Sequence, residues 1–229
     1  MARVVAWLGG AAFVASLAFA GYFYAVTLGN DSPSAPASLP AALAINTALL
    51  TLFATHHSLF ARDWAKRWMT RVVPPGLERS VYVWVASVLF VGVCLLWQQT
   101  GGLVYRATGA LRWLLFALQL AGLYILVRGA AVLDPLELAG IRQAQQRTPV
   151  AFRTDGPYGL VRHPIYLGWA LMTFAVPTMT VGRLMFAGLT TLYLILAIPW
   201  EEKSLVAAFG GRYRAYQSTV KWRLLPRVW

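Results

Sequence analysis

Long apolar runs separated by shorter polar segments dominate this chain of 229 residues. Four of the runs are long enough to cross about 30 Å of hydrocarbon, and they lie at residues 4–28, 41–60, 80–98 and 110–132. Two further runs, at 164–181 and 184–200, are joined by only two residues, which predicts a tight helical hairpin. Pro177 and Pro199 lie in its arms, where proline kinks or shortens a helix. The pattern predicts an all-α integral membrane protein with about six transmembrane helices, or five if one arm does not cross.

The polar segments between these runs differ in length and character. Residues 61–79 predict an amphipathic interfacial piece, because Trp64 and Trp68 lie one helical turn apart with cations around them. Residues 133–163 form the longest polar stretch. After the hairpin, residues 203–220 are predicted to form a cytoplasmic amphipathic helix, with Pro226 beyond it.

These segments predict one membrane domain over residues 1–229. Its parts are an N-terminal two-span hairpin at 1–60, an interfacial segment with the third and fourth spans at 61–132, and a C-terminal region at 133–229 that holds the candidate chemistry. The first run is longer than the roughly 7–15 apolar residues of a secretory signal core. We therefore expect it to be a retained span.

Composition and charge support insertion in a membrane and predict an orientation. Hydrophobic residues make up 59% of the chain and charged residues 12%, about half the charged fraction of a soluble domain. The net charge is +12, yet the cations are confined to gaps between apolar runs, whereas a nucleic-acid binder spreads them over a solvated face. All Lys and Arg except Arg106, Arg112 and Arg183 fall on the side of the N-terminus. The positive-inside rule then predicts that both termini face the cytoplasm.

The first candidate for chemistry is the stretch Gly156–Gly168, which reads GPYGLVRHPIYLG. Pro164 suits the first position of a helix, and the free N–H groups of a first helical turn form an anion site. Arg162 and His163 add donors beside it. The stretch therefore predicts a carboxylate or phosphate site where a helix enters the membrane, the alternative being a capped helix start with Arg162 facing lipid headgroups.

Glu201 and Glu202 form the second candidate. Carboxylates at the end of a membrane helix are costly, and they lie at the unfavourable end of the helix dipole. They are expected either to bind a cation or ligand hydroxyls, or to form a solvated face paired with Lys203. The rings of Tyr158, Tyr166 and Tyr213 can stack on a base or contact a sulfonium, although interfacial tyrosine is also ordinary in membrane proteins.

The remaining histidines and the cysteine do not predict a metal site. His56 and His57 are adjacent, so on a helix their side chains point about 100° apart rather than at one ion. We expect them to form interfacial hydrogen bonds or a wall of the site. Cys94 is the only cysteine, so neither a disulfide nor a cysteine-based metal site can form within the chain.

Together the motifs carry a resemblance to a known family. GPYGLVRHPIYLG, followed by EEKSLVAAFGGRYRAY and a basic stretch with proline, resembles the isoprenylcysteine carboxyl methyltransferase-like integral membrane proteins over residues 140–226. The earlier segments HHSLFARDWAKRW and PPGLERSVYVWVAS are similar to the branch that holds methanethiol S-methyltransferases and NnrU-type membrane proteins. The resemblance implies a methyltransferase that uses S-adenosylmethionine and leaves S-adenosylhomocysteine as product.

The resemblance also implies which residues form the site. Contacts to the cofactor are implied for Gln143, Tyr158, Arg162, His163, Pro164, Ile165, Tyr166, Glu201 and Glu202. Among these, Arg162, His163 and Tyr158 are the candidates for a catalytic role. A small or lipophilic acceptor is expected to enter from the bilayer among membrane lipids, and the cofactor from the cytosol.

One departure from the family pattern bears on the acceptor. Relatives that act on prenylcysteine tend to place an arginine about one turn before the glutamates, where it meets the substrate carboxylate. Here that region reads Ala197–Trp200, which favours a small thiol over a prenylcysteine carboxylate or a lipid. A nicotinamide-dependent membrane reductase and a non-enzymatic NnrU-type protein are the alternatives of other classes, and no Gly-rich phosphate loop supports the former.

Overall fold

The protein is helical in the computed structural model, which describes residues 2–30, 38–74, 76–141 and 152–229. The helices are α1 (Ala2–Tyr22, continued by a π-helical Phe23–Thr27), α2 (Leu39–Phe60), α3 (Asp63–Met69), α4 (Glu78–Leu96), α5 (Gly109–Val132), α6 (Pro135–Leu138), α7 (Pro164–Phe174), α8 (Val181–Phe209) and α9 (Gly211–Thr219). A 3₁₀ turn covers Gly156–Gly159, and strands β1 (Leu103–Arg106) and β2 (Thr178–Thr180) pair with each other. The all-α prediction is confirmed.

Five helices within the described ranges, namely α1 with its π-helical extension, α2, α4, α5 and α8, are long and apolar enough to cross a membrane. The run at 164–181 does not give a sixth, because α7 has only 11 residues and is about 16 Å long. Pro177 is the reason, since it disfavours helical backbone at the residue before it. The five candidate helices of the described ranges match the lower value of the predicted range of five to six.

The protein divides into two compact units, and the first comprises residues 1–102, 135–149 and 180–182. In it α1 packs on α4 where Gly9 faces Trp84, and Trp84 Nε1 donates to the carbonyl of Val5 (3.2 Å). Asn46, fully buried in α2, both donates to the carbonyl of Gln98 (2.9 Å) and accepts from its N–H (2.7 Å). This pair of bonds fixes the end of α4 against α2.

In α3, Trp64 and Trp68 are both exposed. The exposure of these two amphipathic rings is what the interfacial interpretation of residues 61–79 requires.

The second unit comprises residues 103–134, 150–179 and 183–229. In it α5 and α7 pack antiparallel through glycines. A Cβ on Gly168 would lie 2.6 Å from the carbonyl oxygen of Gly122 and from the amide nitrogen of Leu126. Only glycine therefore allows the two backbones to approach this closely.

The second unit has two ends, and different strand and helix ends lie at each. Ala107 N–H donates to the carbonyl of Pro177 (2.8 Å), which places the end of β1 and the start of α5 beside the segment that leads into β2. At the other end of the unit, the last turn of α5 lies against the start of α7, where Gly129 faces Ile165. Because α8 runs away from the strand pair, it carries Glu201 and Glu202 to the end where α7 begins.

The predicted helix over residues 203–220 is two helices. Gly210 has φ of 56°, a left-handed conformation that favours glycine and ends a helix. The chain bends there, and α9 begins at Gly211. The bend turns α9 and the segment after it toward the start of α7.

Candidate functional site

Four ionisable side chains from two distant parts of the sequence meet at the end of the second unit where α7 begins. Arg162 and His163 precede α7, and Glu201 and Glu202 lie in α8. Arg162, His163 and Glu202 are buried, whereas the side chain of Glu201 is 43% exposed. We call these four residues the ionic cluster. Burying charges is costly unless they are paired, and the contacts below show how each is paired.

The guanidinium of Arg162 forms hydrogen bonds to other groups of the protein. Its Nε donates to Glu202 Oε1 (2.6 Å), and its Nη1 donates to the carbonyls of Val220 and Lys221 (both 2.8 Å). These are charge-assisted hydrogen bonds, which are short and strong. Arg162 thus ties the end of α8 to the segment that follows α9.

The segment after α9 is held at the cluster by its backbone as well. The N–H groups of Arg162 and His163 donate to the carbonyls of Trp222 and Arg223 (both 2.9 Å). The side chain of Arg223 contacts Glu202 Oε2 (3.3 Å), and Gln217 Nε2 donates to the same oxygen (3.4 Å). Glu202 therefore joins the residue before α7, α9 and the segment after α9, and it holds these parts of the protein together.

His163 lies between the two glutamates. Its Nδ1 is 3.5 Å from Glu201 Oε2, and its Nε2 is 3.4 Å from Glu202 Oε1. The ring stacks on Tyr166 with centroids 5.3 Å apart. Burial opposes a charge on the ring, but the hydrogen bonds to Glu201 and Glu202 outweigh it and raise the pKa of His163 above its ordinary value. With a carboxylate at each nitrogen, the ring is suited to be an imidazolium.

Glu201 is the open member of the cluster. Tyr166 donates its hydroxyl to Glu201 Oε2 (2.7 Å), the same oxygen that faces His163. Within the described parts of the chain no contact is found for Oε1. The described residues therefore fix one oxygen of Glu201 and leave the other for a further contact.

Aromatic rings lie beside the cluster. The hydroxyl of Tyr216 donates to the carbonyl of Tyr158 (2.7 Å), and Phe152 packs against Tyr213 and Tyr216. Tyr213 is only 2% exposed, yet its hydroxyl has no hydrogen-bond partner among the described residues. Burial raises the pKa of Tyr216 to about 12, and burial, followed by the charge of Glu201, raises the pKa of Tyr158. These tyrosines remain neutral at physiological pH.

The start of α7 is less open than its sequence predicts. Pro164 is buried at the first helical position, and the N–H groups of Tyr166 and Leu167 donate to the carbonyl of His163 (both 3.1 Å). Ile165 faces Gly129 of α5. The predicted anion site therefore has fewer free donors than a fully open helix start.

Most of the site residues predicted from sequence come together in the second unit, and Gln143 lies outside the described residues. Gln217, Arg223 and the backbone of residues 220–223 were not predicted as site residues. The basic stretch with proline that ends the family motif was the only signal for them. Tyr213 was predicted as an aromatic face, but not as a buried hydroxyl.

An apolar groove of about 300 Å³ lies along α7, lined by Leu167, Ala170, Leu171, Phe174, Ala175 and Leu225. Leu167, which lines the groove, directly follows Tyr166 in the sequence. Nearby, Ile198 is fully buried in a core cluster with Val161, Leu167 and Leu224. The part of α8 around Ile198, just before Glu201, thus lies in apolar surroundings.

His56 and His57 belong to the first unit, in an aromatic cluster. His57 Nδ1 lies 2.8 Å from the hydroxyl of Tyr82, and His56 stacks on Phe60 with centroids 4.7 Å apart. Within the described ranges no group of His, Cys, Asp and Glu is arranged to hold a metal ion. The hydrogen-bonding role expected for this pair fits the contact of His57.

Comparison with known proteins identifies relatives over most of the chain. It is 35% identical over 222 residues to methanethiol S-methyltransferase 2 of Bradyrhizobium diazoefficiens, covering 94% of this chain and 85% of that protein. It is 39% identical over 199 residues to the methanethiol S-methyltransferase of Pseudomonas deceptionensis, covering 84% and 76%. A weaker similarity, 30% over 205 residues, links 83% of the chain to 76% of nurim of Rattus norvegicus. No protein-family model and no solved structure matches the chain.

Proposed function

Because the chain belongs to the methanethiol S-methyltransferase family, we propose that it transfers a methyl group from S-adenosylmethionine to a small, methanethiol-like thiol. The protein is an integral membrane methyltransferase. The observation that carries the proposal is a match over 94% of the chain to a relative of that name. A match of that extent includes both the stretch at 156–168 and the glutamate pair.

The residues at the ionic cluster fit a methyl donor of this class. S-adenosylmethionine supplies an electrophilic methyl on a cationic sulfur, and it carries a carboxylate, an amino group and a flat base. One observation supports its binding here: the buried hydroxyl of Tyr213 has no hydrogen-bond partner among the described residues. A buried polar group without a partner is costly, so a ligand that satisfies Tyr213 gains affinity.

We propose that the donor lies against Tyr158, His163, Pro164, Ile165 and Tyr166, with Gln143 contributing from the segment before Gly156 and Glu201 facing the methyl acceptor. Arg162 and Glu202 are proposed to shape the pocket by holding the end of α8 and the segment after α9 in place. Arg162 is then a positioning residue, since its Nε and Nη1 are used within the protein.

The acceptor is proposed to be an uncharged thiol rather than a carboxylate. A carboxylate acceptor needs a cation beside the reacting atoms, and Ile198 occupies the region where an arginine is expected for that role. The apolar groove along α7 suits a small apolar molecule that arrives from the bilayer. Methylation of isoprenylcysteine or of a lipid is the alternative within the same chemistry.

The orientation is proposed from the cations. Seventeen of the 20 Lys and Arg lie on the side that carries the N-terminus, and that side faces the cytoplasm by the positive-inside rule. The ionic cluster lies at the same end of α8 as Lys203 and the basic residues after it. The donor therefore enters from the cytosol.

Calorimetric titration with S-adenosylhomocysteine tests the donor site without relying on activity. Purified protein in detergent is expected to bind it with micromolar affinity, and His163→Ala is expected to abolish binding. Arg214→Ala, which removes an exposed cation of α9, is the control and is expected to bind normally. A folded wild-type sample that binds no S-adenosylhomocysteine contradicts the proposal.

A further inference from the structure

A thiol acceptor has to lose its proton for methyl transfer, whereas a carboxylate acceptor has none to lose. The thiolate, not the thiol, is the strong nucleophile, so a group at the site must accept the S–H proton. On the premise of the proposed function, we propose that Glu201 is that base and accepts the proton at Oε1.

The other ionisable side chains at the site are not available as the base. His163 faces a carboxylate from each of its ring nitrogens, so in its charged form it donates at both and has no lone pair to offer. Arg162 is a permanent cation that is bound to Glu202. Tyr158 is buried and neutral, and a neutral phenol is a weak base. The geometry leaves the glutamates.

The two glutamates differ in availability. Both oxygens of Glu202 are occupied, Oε1 by Arg162 and His163 and Oε2 by Arg223 and Gln217, and its side chain is only 6% exposed. Glu201 is 43% exposed, and among the described residues only its Oε2 has partners, Tyr166 and His163. Tyr166 and His163 thus hold the carboxylate by one oxygen and leave the other for an incoming proton.

The step balances without a further reactant. The acceptor sulfur forms a bond to the methyl carbon, and the bond between that carbon and the donor sulfur breaks. The electron pair of the broken bond stays on the donor sulfur, which becomes neutral. The proton of the acceptor S–H goes to Oε1 of Glu201 and from there to solvent, since that side chain is partly exposed.

Glu201→Gln separates a base from a binding group when two acceptors are compared. Gln keeps the size of the side chain but cannot accept a proton. Methanethiol needs a base at neutral pH, whereas methaneselenol is already ionised and does not. We expect the variant to lose at least about 100-fold in the rate with methanethiol and to keep the rate with methaneselenol within about threefold of wild type.

Binding of two donor analogues provides the readout besides activity. S-adenosylhomocysteine has a neutral sulfur, and sinefungin has a cationic amine in the corresponding region. We expect Glu201→Gln to bind both within about threefold of wild type by calorimetry. Loss of sinefungin binding alone shows that Glu201 serves the sulfonium charge, and loss of both shows that it holds the donor. Either result overturns the proposal, as does an unchanged rate with methanethiol.

Glu201→Asp provides a second measurement in case the Gln variant does not fold. It keeps a carboxylate, so the ratio of the methanethiol rate to the methaneselenol rate is expected to stay within about tenfold of wild type. A ratio reduced by about 100-fold overturns the proposal. If wild type binds S-adenosylhomocysteine but methylates neither acceptor, the proposed function fails, and that result differs from every outcome above.

Discussion

Arg162 and Glu202 form a buried ion pair in which Nε lies 2.6 Å from Oε1, with side chains 7% and 6% exposed. The pair joins residues 40 positions apart, one just before α7 and one near the end of α8. Two further bonds from Arg162 to the carbonyls of Val220 and Lys221 extend it to the segment after α9. The guanidinium of Arg162 is thus one of the groups that hold the walls of the proposed donor pocket together.

Arg162→Ala is expected to lower the stability of the protein by about 3–5 kcal/mol, because it leaves Glu202 buried with a reduced set of partners. Thermal unfolding in detergent, followed by circular dichroism, measures the effect. Arg214→Ala removes an exposed cation and is expected to change stability by less than about 0.5 kcal/mol. Equal, small effects of the two substitutions are inconsistent with a structural role for Arg162.

Stability is also expected to depend on pH through His163, whose pKa is raised in the folded protein. A group whose pKa is raised on folding contributes fully below its unfolded pKa, about 6.5, and loses that contribution as pH rises through the folded pKa. Unfolding temperatures measured from pH 6 upward should therefore decline more in wild type than in His163→Gln. Parallel pH profiles for the two proteins refute this role of His163.

The close approach of α5 and α7 predicts a large effect of a single methyl group. In Gly168→Ala the new Cβ meets backbone atoms of Gly122 and Leu126 at 2.6 Å, so the helices must separate. The expected cost is about 1–3 kcal/mol or more. Gly188→Ala is the matched control, because a Cβ there meets nothing within 4 Å, and its stability should be unchanged or slightly higher. The comparison is made by thermal unfolding, and equal melting temperatures contradict the packing described.

Tyr213→Phe separates stability from binding. The hydroxyl has no partner among the described residues, so its removal should change the free energy of unfolding by less than about 1 kcal/mol. If the donor satisfies that hydroxyl, the affinity for S-adenosylhomocysteine should fall roughly 3- to 10-fold. Tyr124→Phe, at an exposed position of α5, serves as the control. Unchanged affinity in Tyr213→Phe places the hydroxyl outside the donor site.

The spans were predictable because hydrophobic length alone decides them, and α1, α2, α4 and α5 lie close to the predicted runs. The short α7 was harder to predict. Its run is apolar throughout, and only Pro177 indicated that the helix ends before the run does. The break at Gly210 was missed because a helical pattern continues on both sides of that glycine.

The site was predictable in its members and less so in their roles. The sequence places Arg162 next to His163 and Glu201 next to Glu202, but adjacency does not tell which glutamate is buried. That depends on the bend at Gly210, which brings Gln217 and Arg223 to Glu202. Arg162 was expected to offer donors to an anion, but the carbonyls of residues 220 and 221 accept from its Nη1. Contacts with irregular backbone have no signature in the pattern of residue types.

The most direct test of the central claim is a methyl-transfer assay with S-adenosylmethionine labelled in its methyl group. Purified wild-type protein is offered methanethiol, a prenylcysteine analogue and phospholipid in separate reactions, and label is counted in each methylated product. We predict label in volatile dimethyl sulfide, with little in the other two products. Label only in the prenylcysteine ester or the lipid, or in no product from a folded protein, would contradict the account.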